Sequence, residues 1–321
     1  MPSRIGHARS TWTLRVHGAK HSKDSGGNLD YIAQHAQSLE HALELVASGV
    51  PNIISRVPLL DLMSRAALVR HGLFDFDGTL IGGSQWRALG ELMPEYLREA
   101  DLENARWYRS QRHGQHEQDS SLEDPDWWID ELETGNTLAV DGAWVASTVA
   151  MLALSGVTWN DIEHAAATLP ARAGAVELIR LMDQRAVVSF GIEQFIQAWL
   201  LHHGLRVPVA ATRLLYDSSG RVERPHINIV GAGSKKFAAA RFRRLANVEE
   251  RSLLVVGDSV VDVHMMGEDS FNVLVVPRTE VDHKLQDFRE NNLEVMWERI
   301  TMILFDDSLE SLVDLLREAR E

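Results

Sequence analysis

Leu73-Phe74-Asp75-Phe76-Asp77-Gly78-Thr79-Leu80 is the stretch that decides the fold. An apolar run ends at Phe74, and two aspartates one residue apart follow inside a glycine-containing turn. That is how a buried strand opening into a loop reads. The run Ala66-Ala67-Leu68-Val69 leads into it through His71 and Gly72. Downstream the pattern alternates. It predicts helix 174–183, strand 186–190, helix 192–203 closed by Gly204, and strand 207–211. A hairpin turning at Asp217-Ser218-Ser219-Gly220, helix 235–246 and strands 252–257 and 272–276 complete it. Strands alternating with helices predict an α/β fold, a parallel sheet covered on both faces. Ligands bind such sheets beyond the carboxyl ends of the strands.

Those ends carry chemistry. Asp75 and Asp77 follow the first strand, Ser189 and Gly191 end the 186–190 strand, and Gly257-Asp258-Ser259 with Asp262 follows the 252–257 strand. Ser234-Lys235-Lys236 opens the helix before that last strand, either lysine being available to the site. Carboxylates crowded together repel one another unless a hard dication neutralises them, and oxygen-only ligands select Mg²⁺. One aspartate of such a cluster can attack phosphorus while a neighbour protonates the leaving oxygen. A lysine and a hydroxyl then hold the phosphoryl oxygens where charge develops. Gly231-Ala232-Gly233-Ser234-Lys235 lacks the spacing and the preceding strand of a nucleotide-binding loop.

Asp75-Phe76-Asp77-Gly78-Thr79-Leu80, Ser189, Lys235 and Gly257-Asp258-Ser259-Val260-Val261-Asp262, in that order, resemble the four motifs of the haloacid dehalogenase superfamily of phosphohydrolases. The resemblance implies a Rossmann-like core at 66–81 and 181–321, with a helical cap inserted as residues 82–180. It implies Asp75 as the nucleophile that forms an aspartyl-phosphate, and Asp77 as general acid and then base. It implies Ser189 and Lys235 as the phosphate grip. The metal would be Mg²⁺, held by Asp75, the Asp77 carbonyl, Asp258 and Asp262. Within the superfamily, Ser189-Phe190-Gly191-Ile192, the hairpin 215–229 and the tail with Val281-Asp282-His283-Lys284 are similar to the cytosolic pyrimidine 5′-nucleotidase group. Asp77-Gly78 and Val261 depart from that pattern. The implied activity is phosphomonoester hydrolysis of a small phosphorylated metabolite, with a nucleoside 5′-monophosphate as lead candidate. Sugar-phosphate or phospho-amino-acid hydrolysis, or a non-catalytic binding role on the same fold, are the alternatives.

Composition narrows the field. The chain has 321 residues, 45% apolar and 24% charged, enough for a real core. Its formal charge is −14, and Arg4, Arg9, Arg15, Lys20 and Lys23 have no acid among residues 1–23, which leaves −19 on the rest. A body that acidic repels nucleic-acid phosphates. Zero cysteines exclude a disulfide scaffold and a thiolate site, and fit a reducing, cytoplasmic compartment. The longest uncharged stretch, 142–160, is too polar for lipid and reads as a buried helix around Trp144–Leu154. Residues 1–65 read as a basic tail and then a helical pattern from Asn28 to Ser64, with Gly49 and Pro51 interrupting it. Six of the nine tryptophans fall between 82 and 170, where Trp127, Trp128 and Glu117 are candidates to read a base.

Overall fold

The computed structural model describes residues 13–16, 31–49, 51–112, 139–225, 234–282, 284, 286 and 297–321. Eleven strands are described, nine of them in one sheet. In chain order these nine are β1 (Thr13–Val16), β2 (Tyr31–His35), β3 (Ile53–Ser55), β4 (His71–Phe74), β5 (Arg185–Ile192), β6 (Val209–Thr212), β9 (Leu253–Gly257), β10 (Phe271–Val275) and β11 (Met302–Leu304). They lie side by side as β1-β2-β3-β11-β10-β9-β4-β5-β6. From β11 through β6 every neighbouring pair is parallel. The remaining pair, β7 (Leu214–Tyr216) and β8 (Val222–Pro225), forms the hairpin expected around 217–220.

The central strands are apolar throughout because both their faces are covered. Side chains alternate between the two layers, as the pleat requires. Phe74, Leu254, Val256, Val273 and Val275 face one core, and Leu73, Leu253, Val255 and Leu274 face the other. The first core is packed by α2 (Leu59–Leu68), by the helices that follow β4, and by α10 (Glu310–Glu318) at the chain's end. The helices after β4 are α3 (Gln85–Gly90), α4 (Glu95–Arg112), α5 (Ala139–Leu154), α6 (Trp159–Thr168) and α7 (Ala175–Arg180). After β5 comes α8 (Glu193–His202) on the same side. The second core is closed by α1 (Leu39–Ser48) and α9 (Lys235–Ala246).

Residues 31–49 and 51–64 correct a sequence expectation. They form strand, helix, strand and the start of a second helix, where the apolar spacing predicts helix alone. Ser38 caps α1 by accepting from the His41 N–H, and Gly49 at φ +69° ends it. Ile53 and Ile54 then enter the sheet fully buried, with Ile54 directly opposite Ile303 of β11. Three- and four-residue apolar spacing also arises when short strands flank a short helix, and tertiary pairing decides between the two. The run Ala66–Val69 likewise belongs to the end of α2 rather than to β4. Among the described residues, no helix is long and apolar enough to cross a membrane.

Chain order reverses between β4 and β9. The chain runs β4, β5, β6 in one direction across the sheet and β9, β10, β11 in the other. A crevice opens at the carboxyl ends of strands at such a point.

Candidate active site

Asp75 leaves β4 at that crevice, its N–H donating to the carbonyl of Val256 on β9 at 2.9 Å. Asp258 follows β9 directly, so two adjacent strands deliver two carboxylates to one place. Gly78 lets them meet. Its φ is +71°, and a Cβ there would lie 2.2 Å from Asp258 Oδ2. Only glycine satisfies both constraints. Arg172, buried beside the loop, donates to the carbonyls of Gly78 (2.6 Å), Thr79 (2.9 Å) and Asp307 (3.1 Å). It straps the loop to the C-terminal segment.

Asp262 sits one short turn after Asp258 and is fully buried. Its Oδ2 accepts from the Asp258 N–H (3.1 Å), the Ser259 N–H (2.9 Å) and the Ser259 hydroxyl (2.7 Å). Its Oδ1 accepts from Lys235 Nζ at 2.5 Å. The same ammonium donates to Asp75 Oδ1 at 2.6 Å. Lys235 opens α9 and is buried, whereas Lys236 is exposed, so Lys235 is the lysine that reaches the carboxylates. Asp75, Asp258 and Asp262 each offer an oxygen within 4.8 Å of the others.

The electrostatics separate these groups. Burial pushes the Asp75 carboxyl well above the usual carboxylate range, against the pull of Lys235. Burial would lift Asp262 too, yet Lys235 and the Ser259 donors hold it below. Lys235 is also disfavoured by burial, and Asp262 and Asp75 outweigh that and hold it above its ordinary value. The contrast between the two aspartates comes from their donors. Asp262 has four, while Lys235 alone donates to the Asp75 carboxylate among the described contacts. Asp75 is therefore the carboxylate that gains most from an added cation.

The resemblance implies a metal contact for Asp77 through its backbone carbonyl alone, and the structure sets its carboxylate apart from the other three. It keeps some exposure to solvent and bonds to Gln85, whose N–H donates to Oδ1 at 2.5 Å and whose Nε2 donates to Oδ2 at 2.8 Å. The protein crowded around it lifts its carboxyl to about 7, although both Gln85 bonds pull the other way. Ser189 is buried on β5, two residues past the partner of Phe74. Its hydroxyl accepts from the Gly191 N–H at 3.1 Å. The ladder between β5 and β6 slips between Val188 and Ile192, which lengthens β5 to Ile192 and starts α8 at Glu193. Ser189 thus lies inside an irregular strand.

Two residues of the site carried no assigned role in the sequence reading. Lys284 lies beyond β10, buried, and donates to the Asp258 carbonyl at 2.9 Å and to its carboxylate. Burial disfavours its charge, and Asp258 more than compensates. Its position past a central strand's carboxyl end was the available signal. Gln85 gave no signal beyond a polar residue at a helix start. On the helical side, Trp144 of α5 stacks on Tyr108 at 4.9 Å and meets Trp86 at 4.7 Å and Phe190 at 5.1 Å. Glu117, Trp127 and Trp128 lie outside the described residues.

Parallel strands, a switch-point crevice and clustered aspartates with a buried lysine define a class. The chain belongs to the haloacid dehalogenase-like hydrolases, whose family model matches residues 73–267. Solved structures similar to it include a haloacid dehalogenase family hydrolase from Salmonella enterica serovar Typhi. That structure is 15% identical with a TM-score of 0.50, over 77% of this chain and 71% of that one. A probable phosphoserine phosphatase from Vibrio cholerae is 16% identical, with a TM-score of 0.49, over 89% of this chain and 73% of that one. A substrate-bound phosphoserine phosphatase complex is 14% identical, with a TM-score of 0.48, over 76% of this chain and 97% of that one. At these identities the likeness is one of fold. No curated protein matches the sequence.

Proposed function

We propose that the chain is a Mg²⁺-dependent phosphomonoester hydrolase that works through an aspartyl-phosphate on Asp75. The observation that carries this reading is the buried Asp75–Lys235–Asp262 unit beside Asp258. An all-oxygen donor set with a carboxyl pushed up by burial suits a hard dication. Asp75, Asp258 and the Asp77 carbonyl would hold Mg²⁺, with Asp262 supporting through its turn. When bound, the ion supplies charge neutralisation at the carboxylates and at the phosphoryl oxygens.

Lys235 keeps the nucleophile's oxygen in place and shares the phosphoryl charge, with Ser189 as the hydroxyl donor on the other side. An Asp75 oxygen bonds to phosphorus as the ester P–O bond breaks. The leaving oxygen takes its proton from the Asp77 carboxyl. The Asp77 carboxylate then removes a proton from water, which attacks the same phosphorus and releases phosphate and free Asp75.

The core grips the phosphate, so the leaving group falls to residues 82–180, a cap over the crevice in this reading. A nucleoside 5′-monophosphate is the lead substrate, and aromatic rings beside Ser189 support it. Trp144 is buried, and its indole N–H has no hydrogen-bond partner among the described residues. A base can supply both a stacking face and an acceptor.

Released phosphate tests this across nucleoside 5′-monophosphates, sugar phosphates and phosphoserine, with Mg²⁺ and after chelation. Mg²⁺-dependent release with a nucleotide ranked first is expected. A sugar phosphate or phosphoserine ranked first would end the nucleotide part. Release that is undiminished by chelation would end the metal part, and none from any compound would end the whole reading.

A further inference from the structure

Asp77 is held by one residue that no strand end announces. Gln85 is fully buried at the first position of α3. It gives both its backbone N–H and its side-chain amide to the two Asp77 oxygens. Its own Oε1 accepts from the backbone N–H of Ile192 at 2.7 Å. Ile192 lies three residues beyond Ser189. A single primary amide therefore joins the loop carrying Asp77 to the backbone that follows the phosphate-binding serine. The second segment is shaped to that amide, since a Cβ at Gly191 would lie 1.7 Å from Gln85 Nε2. A primary amide donates to a carboxylate through its nitrogen and accepts from an N–H through its oxygen at once. Glutamate would keep the Ile192 bond and lose the side-chain bond to Asp77, and methionine would lose both side-chain bonds, while the backbone N–H of residue 85 still reaches Asp77 Oδ1.

We propose that Gln85 is a positioning residue. It fixes the Asp77 carboxyl group relative to the phosphate-binding backbone at 189–192, so that the proton meets the leaving oxygen. This rests on the phosphomonoesterase reading. In the step concerned, an Asp75 oxygen bonds to phosphorus while the ester P–O bond breaks. The bonding pair passes to the leaving oxygen, which takes the Asp77 proton and leaves Asp77 as a carboxylate. A nitrophenolate departs readily without that proton, whereas an alkoxide does not. Misplacing Asp77 therefore penalises alkyl esters selectively, and a general structural defect penalises both ester types alike.

The experiment compares kcat/KM for 4-nitrophenyl phosphate and 2-phenylethyl phosphate, with Mg²⁺ present, in wild type, Gln85→Met and Gln85→Glu. The ratio of the two constants within one preparation does not depend on how much of the protein is folded. Positioned general acids contribute about 10²–10⁴-fold, so the alkyl ester should lose at least about tenfold more than the aryl ester in both variants. Asp77→Asn sets the limit of that selectivity. Equal losses on the two esters, or a wild-type ratio in Gln85→Glu, would overturn the role of Gln85 and leave the hydrolase reading standing. Wild-type protein that turns over neither ester, nor any nucleoside 5′-monophosphate, sugar phosphate or phosphoserine, would overturn both.

Discussion

The carboxyl ends of the central strands and the helical side of the molecule are built on opposite principles. At the ends of β4 and β9, Asp75, Asp258, Asp262, Lys235 and Lys284 are all buried and pair by charge. Beside α3, α4 and α5, Trp86, Tyr108, Trp144 and Phe190 contact one another ring to ring. Charge pairs in a dry site depend steeply on partner and distance, and removing one member strands the other. Ring packing depends on area and shape and degrades gradually. The first region should therefore fail all at once when altered, and the second should retune.

The largest effect should come from Asp75→Asn. Turnover should fall by at least about 10³-fold, the scale of losing a covalent route. The melting temperature should hold or rise, because a carboxyl disfavoured by burial is replaced by an amide while Lys235 keeps Asp262. Activity assays beside thermal melts check both halves, and a variant that unfolds would merge the catalytic and structural roles separated here.

Lys235→Met should behave differently at the same strand ends. It leaves Asp75 and Asp262 buried without their cation, at a cost of about 3–5 kcal/mol. Added Mg²⁺ should recover part of that, read as a larger Mg²⁺-induced shift in melting temperature than in wild type. An unchanged melt without metal would show that the carboxylates do not depend on this lysine.

On the helical side, Trp144→Phe removes the unpartnered indole N–H. A lost hydrogen bond to the leaving group is worth about 1 kcal/mol, so KM for the preferred substrate should rise about fivefold with metal dependence untouched. Loss of metal dependence would show that the two regions are not separable. Smallest is Thr158→Ala at the start of α6, where Thr158 and Asp161 cap each other reciprocally. It should cost about 1 kcal/mol of stability and leave kcat unchanged, measured by denaturant unfolding and steady-state rates.

The same division explains what the sequence made legible. Asp75, Asp77, Asp258 and Asp262 stand at fixed offsets from apolar strands, so local pattern and strand topology together foretell their meeting. Lys235 against Lys236 required the helix's rotation, which places one side chain in the site and the other in solvent. The partner of Asp77 was out of reach because Gln85 acts through a contact to Ile192, 107 residues away. Residues 31–68 misled for another reason. Ile53 and Ile54 sit on a three-residue strand whose identity comes from pairing with β2 and β11, and no three-residue pattern carries that.

The most direct measurement of the central claim is chemical trapping at position 75. Protein incubated with 4-nitrophenyl phosphate and Mg²⁺, quenched and treated with borohydride, should yield homoserine at residue 75, because borohydride reduces an acyl phosphate and spares a free carboxylate. The account predicts that product at Asp75, dependent on substrate and absent after chelation. Reduction at another aspartate, or steady turnover with none at Asp75, would contradict it.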